Sequence, residues 1–202
     1  MLVRRHGGYR TGFRRAILMR DSNHTGRITR TLNAAIPMPH NPLLLNVLTP
    51  DAFAPYGSVI TSAGRDGCEI NAGTTLRVDM PEPDILREGG RPSLSVFRAL
   101  AGALPFEMKM MERHRVGSQT FVPMMGTPFV VLVALGADRP NMSTLKAFLA
   151  DGSCGITLAP DVWHHPLLAL AAGDFVVLER KGPQVDCEVV DMPAGVWVAQ
   201  GV

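Results

Sequence analysis

The chain has 202 residues, 46% of them hydrophobic and 19% charged, enough for one domain with a sizeable buried core. No apolar run reaches the ~18 residues of a membrane span, which argues against a membrane role. The formal net charge of +2 hides an uneven split: residues 1–40 carry eight arginines against the single acid Asp21, leaving 12 bases and 17 acids in residues 41–202, a balance that offers nucleic acid no basic face.

The Arg-rich stretch 1–40 lacks sustained apolar periodicity, so it is expected to be a disordered leader or the product of a misassigned start ahead of Met38. A transit peptide and a nucleic-acid-binding arm are the alternatives. Residues 41–202 are expected to form the functional domain. Cys68, Cys154 and Cys187 are odd in number and widely spaced, without a Cys-x-x-Cys, so neither a disulfide framework nor a zinc knuckle is indicated. They are expected to be small buried residues in a reducing cytoplasm.

In chain order, Thr49 and Pro50 predict a short capped helix over 49–53, stopped by Pro55 and Gly57. Short β-rich segments follow at 74–79, 93–99, 106–114, 118–124 and 128–134. A second helix is expected over 143–150, with Ser143 as cap, Leu145, Phe148 and Leu149 as an apolar stripe and Gly152 as stop. Further strands are expected at 155–159, 174–179 and 185–190. With 20 Gly and 16 Pro supplying corners, this pattern predicts an all-β antiparallel sandwich or barrel.

Past residue 40 the chain has only three histidines, in Glu112-Arg113-His114 and Trp163-His164-His165. If 106–114 is one strand, Phe106, Met108, Met110, Glu112 and His114 share a face, with Lys109, Met111 and Arg113 on the other. An apolar face then ends in a carboxylate and an imidazole. Gln119, Phe121 and Pro123 share parity on the next strand.

The spacing Glu112-x-His114-x4-Gln119 resembles the first cupin motif, and 160–165 approximates the second, which implies a double-stranded β-helix, or jelly-roll barrel. In that register His165 is the fourth inward group. Glu112, His114, Gln119 and His165 then form a mixed N/O set suited to a divalent first-row metal. The same residues could instead serve a metal-free pocket as acid and base.

More of the chain, from about Leu44 to Val190, resembles the ureidoglycolate lyase family. The similarity rests on Leu48-Thr49-Pro50-Asp51-Ala52-Phe53-Ala54-Pro55-Tyr56-Gly57, Asn71-Ala72-Gly73-Thr74, Glu112-Arg113-His114-x2-Gly117-Ser118-Gln119, Trp163-His164-His165-Pro166-Leu167 and Asp186-Cys187-Glu188. One departure is Asp161-Val162, where family members often carry Gly-Thr; glycine permits the positive φ that Asp tolerates less well.

The resemblance implies cleavage of (S)-ureidoglycolate to glyoxylate and urea by a homodimer, with a divalent cation such as nickel assisting. It implies His114 or His165 as base and acid, helped by Glu112, whose pKa is expected to rise in a desolvated mouth unless a metal or Arg holds it ionised. Arg77, Arg115 and Arg180 are candidates to grip the substrate carboxylate. Gln119, Ser118 and His164 are expected to line the substrate, and Trp163 either stacks on it or walls the barrel. Met108, Met110, Met111, Met124 and Met125 are expected in the core or at a dimer contact. Rival readings are another metal-dependent cupin acting on a small organic acid, and a non-catalytic metabolite-binding cupin.

Overall fold

The computed structural model describes residues 41–201. The leader expected over 1–40 lies outside the described residues. The rest is all-β and cupin-like, with one short α-helix at Pro50–Phe53. That helix begins as expected: Thr49 accepts from the Ala52 amide at 3.2 Å and Pro50 fills the first turn.

Two large sheets face each other. One runs, in order, Glu188–Asp191, Met110–Arg113, Trp163–His164, Phe129–Ala134, Lys146–Ala150 and Asn46–Val47; the other runs Gly57–Ile60, Gly155–Leu158, Gln119–Pro123, Gly173–Lys181 and Arg91–Ala99. Between them lies a core containing Phe129, Val131, Val133 and Phe148 from the first sheet and Val59, Phe121, Ile156, Phe175 and Val177 from the second. Each side chain of this size stabilises the fold by roughly 1.5–3 kcal/mol when fully buried.

The first sheet is covered on its other face as well. Val130, Leu132, Ala134, Ala147 and Trp163 pack with Met108, Met111 and Val198, the last from a three-stranded sheet of Leu43–Leu44, Trp197–Ala199 and Phe106–Glu107. Phe129–Ala134 therefore has no exposed side, which is why its sequence is an unbroken apolar run rather than an alternating one.

Two of the expected elements fail. The segment expected as a helix over 143–150 is a single 3-10 turn, Met142–Thr144, followed by the strand Lys146–Ala150 paired antiparallel with Phe129–Ala134. Its apolar spacing suits either element, but the strand sends Phe148 into one core and Ala147 into the other. Helix propensity differences of at most about 0.7 kcal/mol per residue cannot match that burial.

The second failure is the continuous strand 106–114. Phe106–Glu107 belongs to the three-stranded sheet and Met110–Arg113 to the large one; between them Met108 donates to Val196 and Lys109 accepts from Met192. The break resets the parity, so Met108 and Met111, expected on opposite faces, lie buried in the same cluster. Met124 and Met125 are exposed. The cysteines also depart from expectation: Cys68 and Cys187 are exposed and only Cys154 is partly buried. Cys68 belongs to an outlying hairpin, Cys68–Ile70 with Thr75–Arg77, which also carries Arg77.

Candidate active site

Cross-strand register places the site. His164 stands opposite both Glu112 and Val133, and directly opposed residues in a sheet project to the same side. Val133 belongs to the core between the large sheets, so Glu112 and His164 face that interior, at its end. His114 follows immediately after the strand. Ligand atoms of Glu112, His114 and His164 all lie within 4.8 Å of one another.

The two imidazoles are held alike. His164 Nδ1 donates to the Val162 carbonyl at 2.9 Å, and His114 Nδ1 donates to the Asp186 carbonyl. A carbonyl can only accept, so Nδ1 carries a proton in each ring, and in the neutral tautomer that leaves a lone pair on Nε2. Both Nε2 atoms are buried and without a hydrogen-bond partner among the described residues. His164 Nε2 is 3.6 Å from the Glu112 carboxylate, and the two rings are 5.5 Å apart between centroids. Buried polar atoms left unmatched are uncommon and point to something that fills the space between them.

Burial pushes the Glu112 carboxyl up, but His164 beside it, with His114 and His165 nearby, outweighs burial and holds it below its ordinary value. The expected rise is thus reversed, because imidazoles crowd the carboxylate that burial alone would neutralise.

His165 is not part of the three-residue cluster. It comes one residue after the strand residue His164; its ring packs edge-on against Phe106 at 4.9 Å, and its Nδ1 meets the Pro166 carbonyl at 2.7 Å. Burial pushes its pKa down, against the opposing pull of Pro166 and Glu112. The motif register selected the second histidine of the pair; strand pairing turns the first one inward beside Glu112, and both line a small cavity with Phe121, Phe129 and Val131.

The facing sheet contributes Gln119, whose amide donates to Glu179 at 3.1 Å while its own carbonyl oxygen stays buried and unmatched among the described residues. Glu179 went unremarked in the sequence, yet Phe175, Val177 and Glu179 repeat the signature seen elsewhere: an apolar alternation ending in an acid. Cys187 Sγ lies 3.9 Å from Glu112. Burial pushes its thiol up, and the carboxylates of Glu112, Asp186 and Glu179 push it further, so both sheets' acids act on one mouth. Asp186, noted in the sequence only as part of the Asp186-Cys187-Glu188 match and given no role there, accepts from the amides of Arg115, Val116 and Gly117.

Comparison with known proteins identifies the family. A sequence profile of the family described as ureidoglycolate lyase matches residues 40–199. The chain belongs to the ureidoglycolate lyase family. Proteins named ureidoglycolate lyase include one from Burkholderia mallei (strain NCTC 10229), 42% identical over 77% of this chain and 92% of its own length. Another, from Burkholderia cepacia, is 44% identical over 72% of this chain and 83% of its own. A third, from Pseudomonas syringae pv. tomato, is 38% identical over 72% and 87%. Among solved structures, a dTDP sugar isomerase from Desulfovibrio desulfuricans G20 is similar at 18% identity and a TM-score of 0.35, covering 68% of this chain and 80% of that one.

In this member of the ureidoglycolate lyase family, all three arginines expected to grip substrate are already engaged. Arg77 pairs with Asp79 on the outlying hairpin, and Arg115 with Glu188. The side chain of Arg180 is buried and donates to the carbonyls of Arg87 and Glu88. Ser118 donates its amide to Asp84 and lines a separate cleft with Gly57, Pro83 and Thr157. Trp163 is fully buried on the reverse face of the sheet, stacked under the Arg113 guanidinium at 4.3 Å. It walls the second core, away from the imidazoles, because its strand neighbour His164 takes the inward side.

A divalent metal fits the cluster. Two Nε2 lone pairs and a carboxylate converge, and each ring's other nitrogen is fixed by a carbonyl, the arrangement that orients metal-binding imidazoles.

Proposed function

We propose that the chain is a ureidoglycolate lyase that works from the Glu112, His114 and His164 cluster, splitting (S)-ureidoglycolate into glyoxylate and urea. The observation that carries this reading is the pair of inward, unmatched Nε2 atoms beside an ionised carboxylate, in a member of this family.

The substrate is a hemiaminal bearing a carboxylate. Its lysis moves one proton: the carbinol O–H is deprotonated, the oxygen electrons form the new C=O, the C–N bond breaks, and the urea nitrogen takes a proton. His114 Nε2 is suited to accept the carbinol proton and return it to the nitrogen, since its Nδ1–H is already committed to Asp186. Glu112, kept ionised, stabilises the imidazolium formed in passing, and His164 stands 3.6 Å from the same carboxylate. Gln119 and Glu179 face the same mouth and are suited to hydrogen-bond the ureido group. No water nucleophile is required, which makes the reaction a lysis.

A divalent cation such as nickel, held by Glu112, His114 and His164, would occupy the same Nε2 lone pairs, so it would replace the His114 base rather than assist it: it would bind the substrate's carboxylate and polarise its carbinol oxygen. The commitment of Arg77, Arg115 and Arg180 to other partners supports such a positive centre.

The reading includes a homodimer in the cytoplasm. Leu94 and Val96, exposed on the strand Arg91–Ala99 at the edge of its sheet, suit a contact between copies, and the three free cysteines suit a reducing compartment. Among the described residues no helix is long and apolar enough to cross a membrane.

The test is incubation of the purified protein with ureidoglycolate, following glyoxylate and distinguishing urea from ammonia. Glyoxylate with equimolar urea is expected. Release of ammonia, or binding without turnover, would overturn the reading.

A further inference from the structure

The turn ahead of the second histidine motif contains a residue in an unusual conformation. Asp161 has φ 67°, in the left-handed region that L side chains rarely adopt. Its backbone N–H donates to the His114 carbonyl at 2.7 Å, and the carbonyl of the next residue, Val162, accepts from His164 Nδ1 at 2.9 Å. Two successive residues of one turn therefore hold both imidazole residues of the cluster.

What keeps Asp161 in this conformation lies on the far side of the sheet. Its Oδ1 accepts from Arg113 Nη1 at 2.9 Å. Arg113 has no solvent exposure, stacks on Trp163, and donates also to Glu188 at 3.0 and 2.8 Å and to the Ala137 carbonyl. Its guanidinium is thus fixed by three other groups before Asp161 is considered, and it follows Glu112 directly in the strand.

We propose that Asp161 is a positioning residue: its carboxylate, anchored on the buried Arg113 guanidinium, holds a non-glycine residue in the left-handed conformation and thereby sets the spacing of His114 and His164. The ion pair on one face of the strand fixes the geometry of the imidazoles on the other. The kinetic consequence rests on the reading of the Glu112, His114 and His164 cluster as the active site. The positional consequence does not. Since a misplacement of about 1 Å can lower a rate about a hundredfold, a small shift in this turn is enough to matter.

The experiment compares Asp161→Ala, Asp161→Asn and Asp161→Gly in the full chain, measuring kcat and KM with ureidoglycolate, melting temperature, and long-range 1H–15N spectra of 15N-histidine-labelled protein. Asn tolerates the left-handed region and keeps an acceptor oxygen; Gly keeps the conformation without the anchor; Ala keeps neither. Asp161→Ala is expected to lower kcat about tenfold or more with little change in KM, and to erase the fixed Nδ1–H pattern of the two rings. Asp161→Asn should restore both readouts, and Asp161→Gly should fall between.

Wild-type kcat and unaltered ring spectra in a folded Asp161→Ala protein would overturn the proposal. So would an Asp161→Asn protein as impaired as the Ala variant, or a loss of kcat that merely follows the folded fraction. His164→Ala is measured alongside. Wild-type turnover there removes the site reading, and the ring spectra then decide the role of Asp161 by themselves.

Discussion

His114 and His164 present their rings 5.5 Å apart, each with Nδ1 turned to a main-chain carbonyl and Nε2 turned to the same space beside Glu112. Replacing His114 or His164 by Ala is expected to lower kcat by about 10²–10⁴-fold in a protein that stays folded, the range attributed to positioned acid–base groups. His165→Ala, which removes a ring packed on Phe106, should fall well short of that loss. Steady-state kinetics beside circular dichroism checks the ranking, and an inactive His165 variant with an active His164 variant would reverse it.

Metal binding gives a second test of the same three side chains. Isothermal titration of the chelator-treated protein with nickel should show one site per chain, lost in His114→Ala and in His164→Ala but kept in His165→Ala. Saturable binding that survives loss of both His114 and His164 would place the metal elsewhere.

Arg113 ties the reverse face of the sheet together. Removing it as Arg113→Ala leaves a hole against Trp163 and strips Glu188 and Asp161 of their shared cation. A loss of about 3 kcal/mol is expected, below the top of the range for buried pairs because the two carboxylates are half exposed. Urea unfolding measures it; a change within error would mean the guanidinium is not needed for stability.

Glu188 gives the pH dependence. Hydrogen bonds from Arg115 and then Arg113 hold its carboxyl below the ordinary carboxylate value. A carboxylate whose pKa is depressed on folding contributes stability that is present above its unfolded pKa of about 4.3 and disappears as pH falls through the folded value. Glu188→Gln should therefore be less stable than wild type at pH 7. The gap should narrow as the solution is acidified below about pH 4. A constant gap across that window would show that charge is not what Glu188 supplies.

Much of this was legible in the residues. Glu112 and His114 stood out through the confinement of the histidines to two short motifs at cupin-like spacing, although the shared apolar face assigned to them is broken at 108–109, and Thr49-Pro50 announced its helix through local chemistry. The choice between His164 and His165 was not legible, since it depends on which residue lies across from Val133, a fact of strand register set by distant chain. Likewise 145–149 carries apolar residues that fit a helical stripe, and only its pairing with Phe129–Ala134 decides for the strand. Phe148→Ala should accordingly cost about 3–5 kcal/mol in urea unfolding, as for a fully enclosed aromatic; a loss under about 1 kcal/mol would contradict its place in the core.

The four-residue strand Met110–Arg113 serves two compartments by alternation, sending Glu112 toward the imidazoles and Met111 and Arg113 toward the tryptophan. A pairing slip of one position would drive a carboxylate among methionines and a guanidinium between two histidines, both without counterparts. Misaligned chains are thus penalised twice over, and the same alternation that serves chemistry also proofreads assembly.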